Sequence, residues 1–243
     1  MRFSAWLGAI AAVLAVGSPT FAGEPVRIGV VLSSGPVSQE IANGLAMALD
    51  ENGPVVAGRP IHLIREDNSG KPDSAIERAR KLVERDRADV LVGPVSSAEA
   101  LALREYADEA RVPVVIPEAA ANAITGVKCS RYVVRVSYAS DQIATTLAGY
   151  LAAGRGRPKR IYMIAADDPA GRDMLAAFRH AYEAAGGEIV GETYVPRSAA
   201  DFAPYLLKLR LTGAEMAFAH FSGPAAEQFV SAYHELQIGR AHV

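Results

Sequence analysis

Cysteine is nearly absent from this chain of 243 residues: Cys129 stands alone, so no disulfide can close within it. A lone thiol behaves as a small apolar side chain, and Cys129 is expected to be buried. Charge of one sign is lacking too. Lys and Arg number 25 against 27 Asp and Glu, a formal net charge of -2, which excludes the basic stripe of a nucleic-acid-binding surface. With 50% of the residues apolar, an intrinsically disordered chain is excluded as well. The five histidines, His62, His180, His220, His234 and His242, are scattered without metal-ligand spacing. There is no His-Glu-x-x-His pair, no Gly-x-Ser-x-Gly elbow and no Walker-type phosphate loop, so the usual signatures of zinc enzymes, serine hydrolases and nucleotide enzymes are missing. No apolar run is long enough to span a bilayer.

What is present begins with an export signal. Met1-Arg2-Phe3-Ser4 precedes an apolar run from Ala5 to Val16, then Gly17-Ser18-Pro19 and the small residues around Ala22. A cationic start, a short hydrophobic core and a small-residue cleavage point form a secretory signal. Residues 1–22 are therefore expected to be removed after Ala22, leaving a mature chain in the periplasm.

Beyond it, short β-branched runs alternate with helical spacing, the pattern of parallel sheets covered on both faces. Strands are expected at Val26–Leu32, Ile61–Arg65, Val90–Gly93 and Val112–Ile116. Helices are expected on the stripe Ile41, Leu45, Ala46 and Leu49, on a second helix capped by Asp73 or Ser74, and from Ser97 to Ala110. The charges from Glu77 to Asp86 read as a solvated helix face. The rhythm restarts with a helix over Asp141–Ala153 and strands at Arg160–Ile164, Glu188–Val195 and Glu215–Ala219. Intervening helices are expected over Arg172–Ala185, closed by Gly186-Gly187, over Phe202–Leu211, and from Pro224 onward. This predicts an α/β fold of two Rossmann-like lobes, residues 23–138 and 139–237, with a crossover near Val136–Asp141. The last helix barely starts before the chain stops, so the second lobe is expected to be incomplete. The closing Ile238-Gly239-Arg240-Ala241-His242-Val243 also matches one translation frame of a common sequencing adapter. Residues 238–243 are accordingly expected to be an artefactual tail on a C-terminally truncated chain.

Several loops then carry a resemblance. Val90-Leu91-Val92-Gly93-Pro94-Val95-Ser96-Ser97 is similar to the Gly-Pro-x-x-Ser segment of type I periplasmic binding proteins. Ile28-Gly29-Val30 before Ser34-Gly35-Pro36, Asp67-Asn68 before Pro72, Val114–Thr125 and Ala200-Asp201-Phe202 follow in the same order. Together they resemble the branched-chain amino-acid family of ABC-transporter solute receptors. Stretches such as Lys128-Cys129-Ser130 and Arg135-Val136-Ser137-Tyr138 look more like its aromatic-acid branch. The resemblance implies capture of a small molecule between two lobes and delivery to a membrane permease, with no cofactor, metal or nucleic acid involved.

The residues themselves suggest how capture works. In doubly wound sheets ligands sit beyond the carboxyl ends of the strands, where loops enter helix N-termini. Ser96 and Ser97 stand at such a point, where backbone N–H groups and a hydroxyl can hold a carboxylate, although one serine could equally serve as the helix cap. In the next loop, Glu118, Ala119 and Ala120 offer backbone groups, and Glu118 is either an ammonium partner or a solvated charge. The family loop carries Thr where this chain has Ala120, and an aromatic residue where it has Ala170 after Asp167-Asp168-Pro169. Both departures put a branched-chain amino acid in doubt and favour an aromatic or other non-standard carboxylate. Phe221-Ser222-Gly223, after the strand Glu215–Ala219, is a third candidate contact loop, with Ser222 as its contact residue. Tyr138 either stacks on a ligand ring or packs at the lobe junction. A periplasmic sensor feeding a membrane signalling protein shares the fold. A sugar-responsive transcription factor does too, but needs a DNA-binding helix pair where the signal stands. An exported hydrolase lacks its nucleophile motif.

Overall fold

The computed structural model describes residues 23–154 and 158–238; the expected signal over residues 1–22 and all but Ile238 of the expected tail over 238–243 lie outside the described residues. Two sheets organise them. The first contains β1 (Val26–Leu32), β2 (Val55–Val56), β3 (Arg59–Asp67), β4 (Val90–Val92), β5 (Val114–Ile116) and β6 (Val133–Arg135), in the order β2-β3-β1-β4-β5-β6. All pairings are parallel except β2 with β3. Its helices are α1 (Pro36–Asn52), α2 (Pro72–Arg80) and α3 (Ser97–Ala110). The chain crosses over after Arg135 into α4 (Ser140–Ala153). A second parallel sheet follows, ordered β8-β7-β9, from β7 (Arg160–Ala166), β8 (Glu188–Val195) and β9 (Met216–His220). With it come α5 (Pro169–Ala184), α6 (Ala203–Arg210) and α7 (Pro224–Glu235).

Each sheet is sealed by its own core. Val31, Leu91, Val114 and Ile116 pack with Ala75, Ala79 and Leu82 and with Ala100, Leu103 and Ala107 of α3. The second sheet buries both faces: Ile161 and Met163 point toward α4 and α5, where Phe178 stacks on Phe218 at 4.0 Å between centroids. Tyr162 and Ile164 face Phe202, Leu206 and Leu209. This alternation follows from the two-residue period of a strand covered on both sides.

The mixed α/β architecture and the β8 and α3 boundaries agree with the sequence reading, whereas several local expectations need correction. β2 and β6 were not expected: each has only two apolar residues in a row, Val55-Val56 and Val133-Val134. The cap of α2 is Lys71 rather than Asp73 or Ser74, because Pro72 at the first helical position needs no hydrogen-bonded N–H. The α1 stripe is shallow: Ser38 and Ala42 are buried, Ile41, Leu45 and Leu49 half-buried and Ala46 exposed. Cys129 is exposed, in the loop before β6, where its N–H donates to the Gly126 carbonyl. The charged run from Glu77 to Asp86, which spans the end of α2, is more than a solvated face. There the helix passes into a π turn over Lys81–Arg85, and Lys81 Nζ bridges Glu66 (2.6 Å) and Asp86 (2.9 Å).

Candidate functional site

Sheet topology puts the site where it is. In the first sheet β3 lies on one side of β1 and β4 on the other, so the loops leaving β1 and β4 diverge and open a crevice. The second sheet repeats this with β8 and β9 flanking β7. The two crevices face each other across a cavity of about 140 Å³. From lobe one it is lined by Val37, by Val95, Ser96 and Ser97 after β4, and by Glu118, Ala119 and Ala120 after β5. Lobe two contributes Ala166, Asp168 and Ala170 after β7, Arg197 after β8, and His220, Phe221 and Ser222 after β9.

The Gly93-Pro94 turn sets the approach from lobe one. Gly93 has φ +114, and a Cβ there would lie 2.0 Å from the Val31 carbonyl oxygen; only glycine lets the end of β4 pass so close to β1. The Gly93–Pro94 peptide is cis. The two serines then divide their tasks. Ser96 is the cap of α3, its hydroxyl accepting the Glu99 N–H at 3.3 Å. Ser97 Oγ accepts the Ala121 N–H at 3.0 Å and so fastens the following loop. Its own hydroxyl proton, and the N–H groups of Ser97 and Ala98, have no partner among the described residues. Unpaired amides at a helix start favour an anion.

The loop after β5 is held on all sides. Ser140 donates its N–H and its hydroxyl to the Ala120 carbonyl (2.9 and 3.1 Å). Arg135 donates to the Ala121 carbonyl and to Thr125 Oγ1, both at 2.8 Å. Burial lowers the Arg135 pKa from its ordinary value, opposed by Asp141 and Asp173. From lobe two, Asp173 Oδ2 accepts the Asn122 N–H at 2.7 Å. Ala119 is buried and Glu118 exposed.

On lobe two, Asp168 caps α5 by accepting the Gly171 N–H at 2.8 Å, and its other oxygen accepts from Arg197 Nη1 at 3.0 Å. His220 is half-buried. Burial holds its imidazole below the ordinary value, with Asp168 pulling the other way. Serine, histidine and aspartate thus meet in one cleft, yet no hydrogen bond links His220 to a serine or to Asp168 among the described residues. That arrangement lacks the proton relay of a hydrolytic triad.

Seven of the eight residues singled out from the sequence line this cavity: Ser96, Ser97, Glu118, Ala119, Ala120, Ala170 and Ser222. Tyr138 does not. It is 71% exposed and lines a separate groove with Gln142, Ile143, Thr146, Leu147 and Tyr150 of α4. Phe221 lines the cleft cavity too, as part of the expected contact loop Phe221-Ser222-Gly223, whereas sequence reasoning missed Asp168, Arg197 and His220. The position of Arg197 just after the predicted strand Glu188–Val195 was the available signal.

Comparison with known sequences decides the family. A family model described as periplasmic binding protein matches residues 25–242. The chain belongs to that family. Among curated relatives, the Leu/Ile/Val-binding protein homolog 6 of Brucella abortus is 30% identical over 228 residues, which cover 91% of this chain and 57% of the relative. Among solved structures, the solute binding protein of an ABC transporter from Rhodopseudomonas palustris, in complex with 3,4-dihydroxy benzoic acid, superposes with a TM-score of 0.82. It is 27% identical, with 89% of this chain and 60% of that chain covered. An ABC transporter substrate-binding protein from Sphaerobacter thermophilus is 38% identical, with a TM-score of 0.77 and coverage of 87% and 59%. The chain therefore has the type I fold expected of it and spans less than two thirds of the length of the relatives it matches.

Proposed function

We propose that this chain is the periplasmic substrate-binding component of an ABC transporter, capturing a small carboxylate-bearing solute between its lobes and handing it to a membrane permease. The observation that carries this reading is the cavity between the two crevices, with unpaired amides at the start of α3 on one wall and Ala170, Phe221 and Ser222 on the other. The solute's carboxylate sits at Ser97 and beside the Glu118–Ala120 backbone. The small side chains of Ala120 and Ala170 leave room for a ring, which favours an aromatic acid over a branched-chain amino acid. The Rhodopseudomonas palustris relative, held in complex with 3,4-dihydroxy benzoic acid, supports the same ligand class. Ligand touching both lobes stabilises the closed arrangement by its differential affinity. Removal of residues 1–22 and export complete the proposal.

A thermal-shift panel tests it, since a ligand that binds only the folded state raises the melting temperature by mass action. Benzoate or a hydroxybenzoate is expected to raise it by several degrees, and Ser97→Ala to reduce that rise. Stabilisation by leucine or valine with none by aromatic acids overturns the ligand class. Turnover of an ester or amide that depends on Ser97 overturns transport in favour of hydrolysis.

A further inference from the structure

The cleft does not end at lobe two. Ala166, Asp168, Arg197, Phe221 and Ser222 also line a second cavity of about 430 Å³, which runs between the starts of α6 and α7 past Phe202, Pro224 and Gln228. Among the described residues, Arg197 is the one cationic side chain that borders both spaces. Its side chain remains 63% exposed although it is paired, while that of Asp168 is 17% exposed. Only Nη1 of Arg197 is engaged, with Asp168 Oδ2 at 3.0 Å. The other donors of the guanidinium have no partner among the described residues. Asp168 in turn is anchored as the cap of α5 through the Gly171 N–H, so it orients Arg197 while sharing its own charge with a helix N-terminus. A helix start carries roughly half a positive charge, which leaves the group of Asp168, Arg197 and the α5 start positive. A guanidinium with a free edge in such a field matches a planar carboxylate in two-point contact.

We propose that Arg197 is the specificity-determining residue of lobe two, that Asp168 is its positioning residue, and that the solute is a dicarboxylate with a short apolar or ring body. One carboxylate lies at the α3 start and the second at Arg197, with the body against Ala119, Ala170 and Phe221. This rests on the cleft being the solute site.

Titration calorimetry on the full-length protein tests it, with benzoate as the monocarboxylate and phthalate, isophthalate and terephthalate as dicarboxylates of graded spacing. At least one dicarboxylate is expected to bind tenfold or more tightly than benzoate. Arg197→Gln should reduce that ratio to near unity, and Arg197→Lys, which keeps the charge but not the fork, should leave an intermediate ratio. Because the readout is a ratio within each variant, a general loss of stability does not imitate it. Benzoate binding as tightly as every dicarboxylate, or Arg197→Gln weakening both classes alike, overturns the role of Arg197 and leaves the solute site standing. Failure of all four acids to bind overturns the dicarboxylate and the aromatic-acid reading together.

Discussion

Buried polar groups set the terms at the residue scale. Asn68 is 0% and Glu99 2% exposed, and the Asn68 amide donates to Glu99 Oε2 at 2.7 Å. Glu99 is also the residue whose N–H receives the cap from Ser96. One carboxylate thus ties the loop after β3 to the first turn of α3, on which the candidate anion site depends. Removing a partner from a buried polar group costs its desolvation, about 2 kcal/mol. Asn68→Ala is expected to lower unfolding stability by about that much, read as a reduced urea midpoint at unchanged slope. His220 supplies a pH dependence. Its folded pKa is depressed by burial, with Asp168 opposing, so as pH falls the unfolded chain takes up the proton first. The contribution of the neutral imidazole is fully present above the ordinary histidine value of about 6.5 and is lost as pH falls toward the folded value. Stability measured at about pH 5 and about pH 7.5 should therefore differ less in His220→Gln than in the parent chain.

At the scale of elements, the turn after β4 is the most constrained part of the site. Gly93 combines φ +114 with the close approach to the Val31 carbonyl. Gly93→Ala must either strain the backbone or push β4 from β1, and an expected cost of about 3 kcal/mol follows from the sum of the two effects. Thermal unfolding checks this, and a variant as stable as the parent would contradict the packing described. Elements differ in how legible they are from the chain. The strand Glu188–Val195 and the helix Ser97–Ala110 have clear periods and clean stops, and they occur at those bounds. The end of α5 was equally plain, with Gly186 at φ +80 just past its last turn. β2 and β6 were not legible, because each holds only two apolar residues in a row, against three or more in β4 and β5, and owes its strand state to the neighbour it pairs with. Cys129 was misplaced for a related reason: residue type predicts average burial, whereas a loop position decides it.

For the whole molecule, the loop after β5 joins the lobes as well as lining the cleft. Asp173 of α5 accepts the Asn122 N–H, and Asn122 Oδ1 accepts the Asp141 N–H at 3.1 Å. Motion of lobe two is thereby coupled to the backbone proposed to touch the solute. Asp173→Ala removes that tie. Its ligand-free radius of gyration in small-angle scattering is expected to exceed the parent's, and its affinity for the best ligand to fall severalfold, since closure then receives less help from the protein itself. Equal radii and equal affinities would show that the tie does not restrain the lobes.

Alternating hydrophobic periods, turn residues and the order of a few loop motifs determined the α/β class, most elements and seven cavity-lining positions, because each is written in residues close together in the chain. Tertiary structure alone decided which loops share a cavity. Arg197 pairs with Asp168 and shares a cavity with His220 because β7 lies between β8 and β9, whereas Tyr138 lines a groove along α4 instead. Those outcomes depend on strand order, which the pairing of distant segments selects and no local pattern encodes.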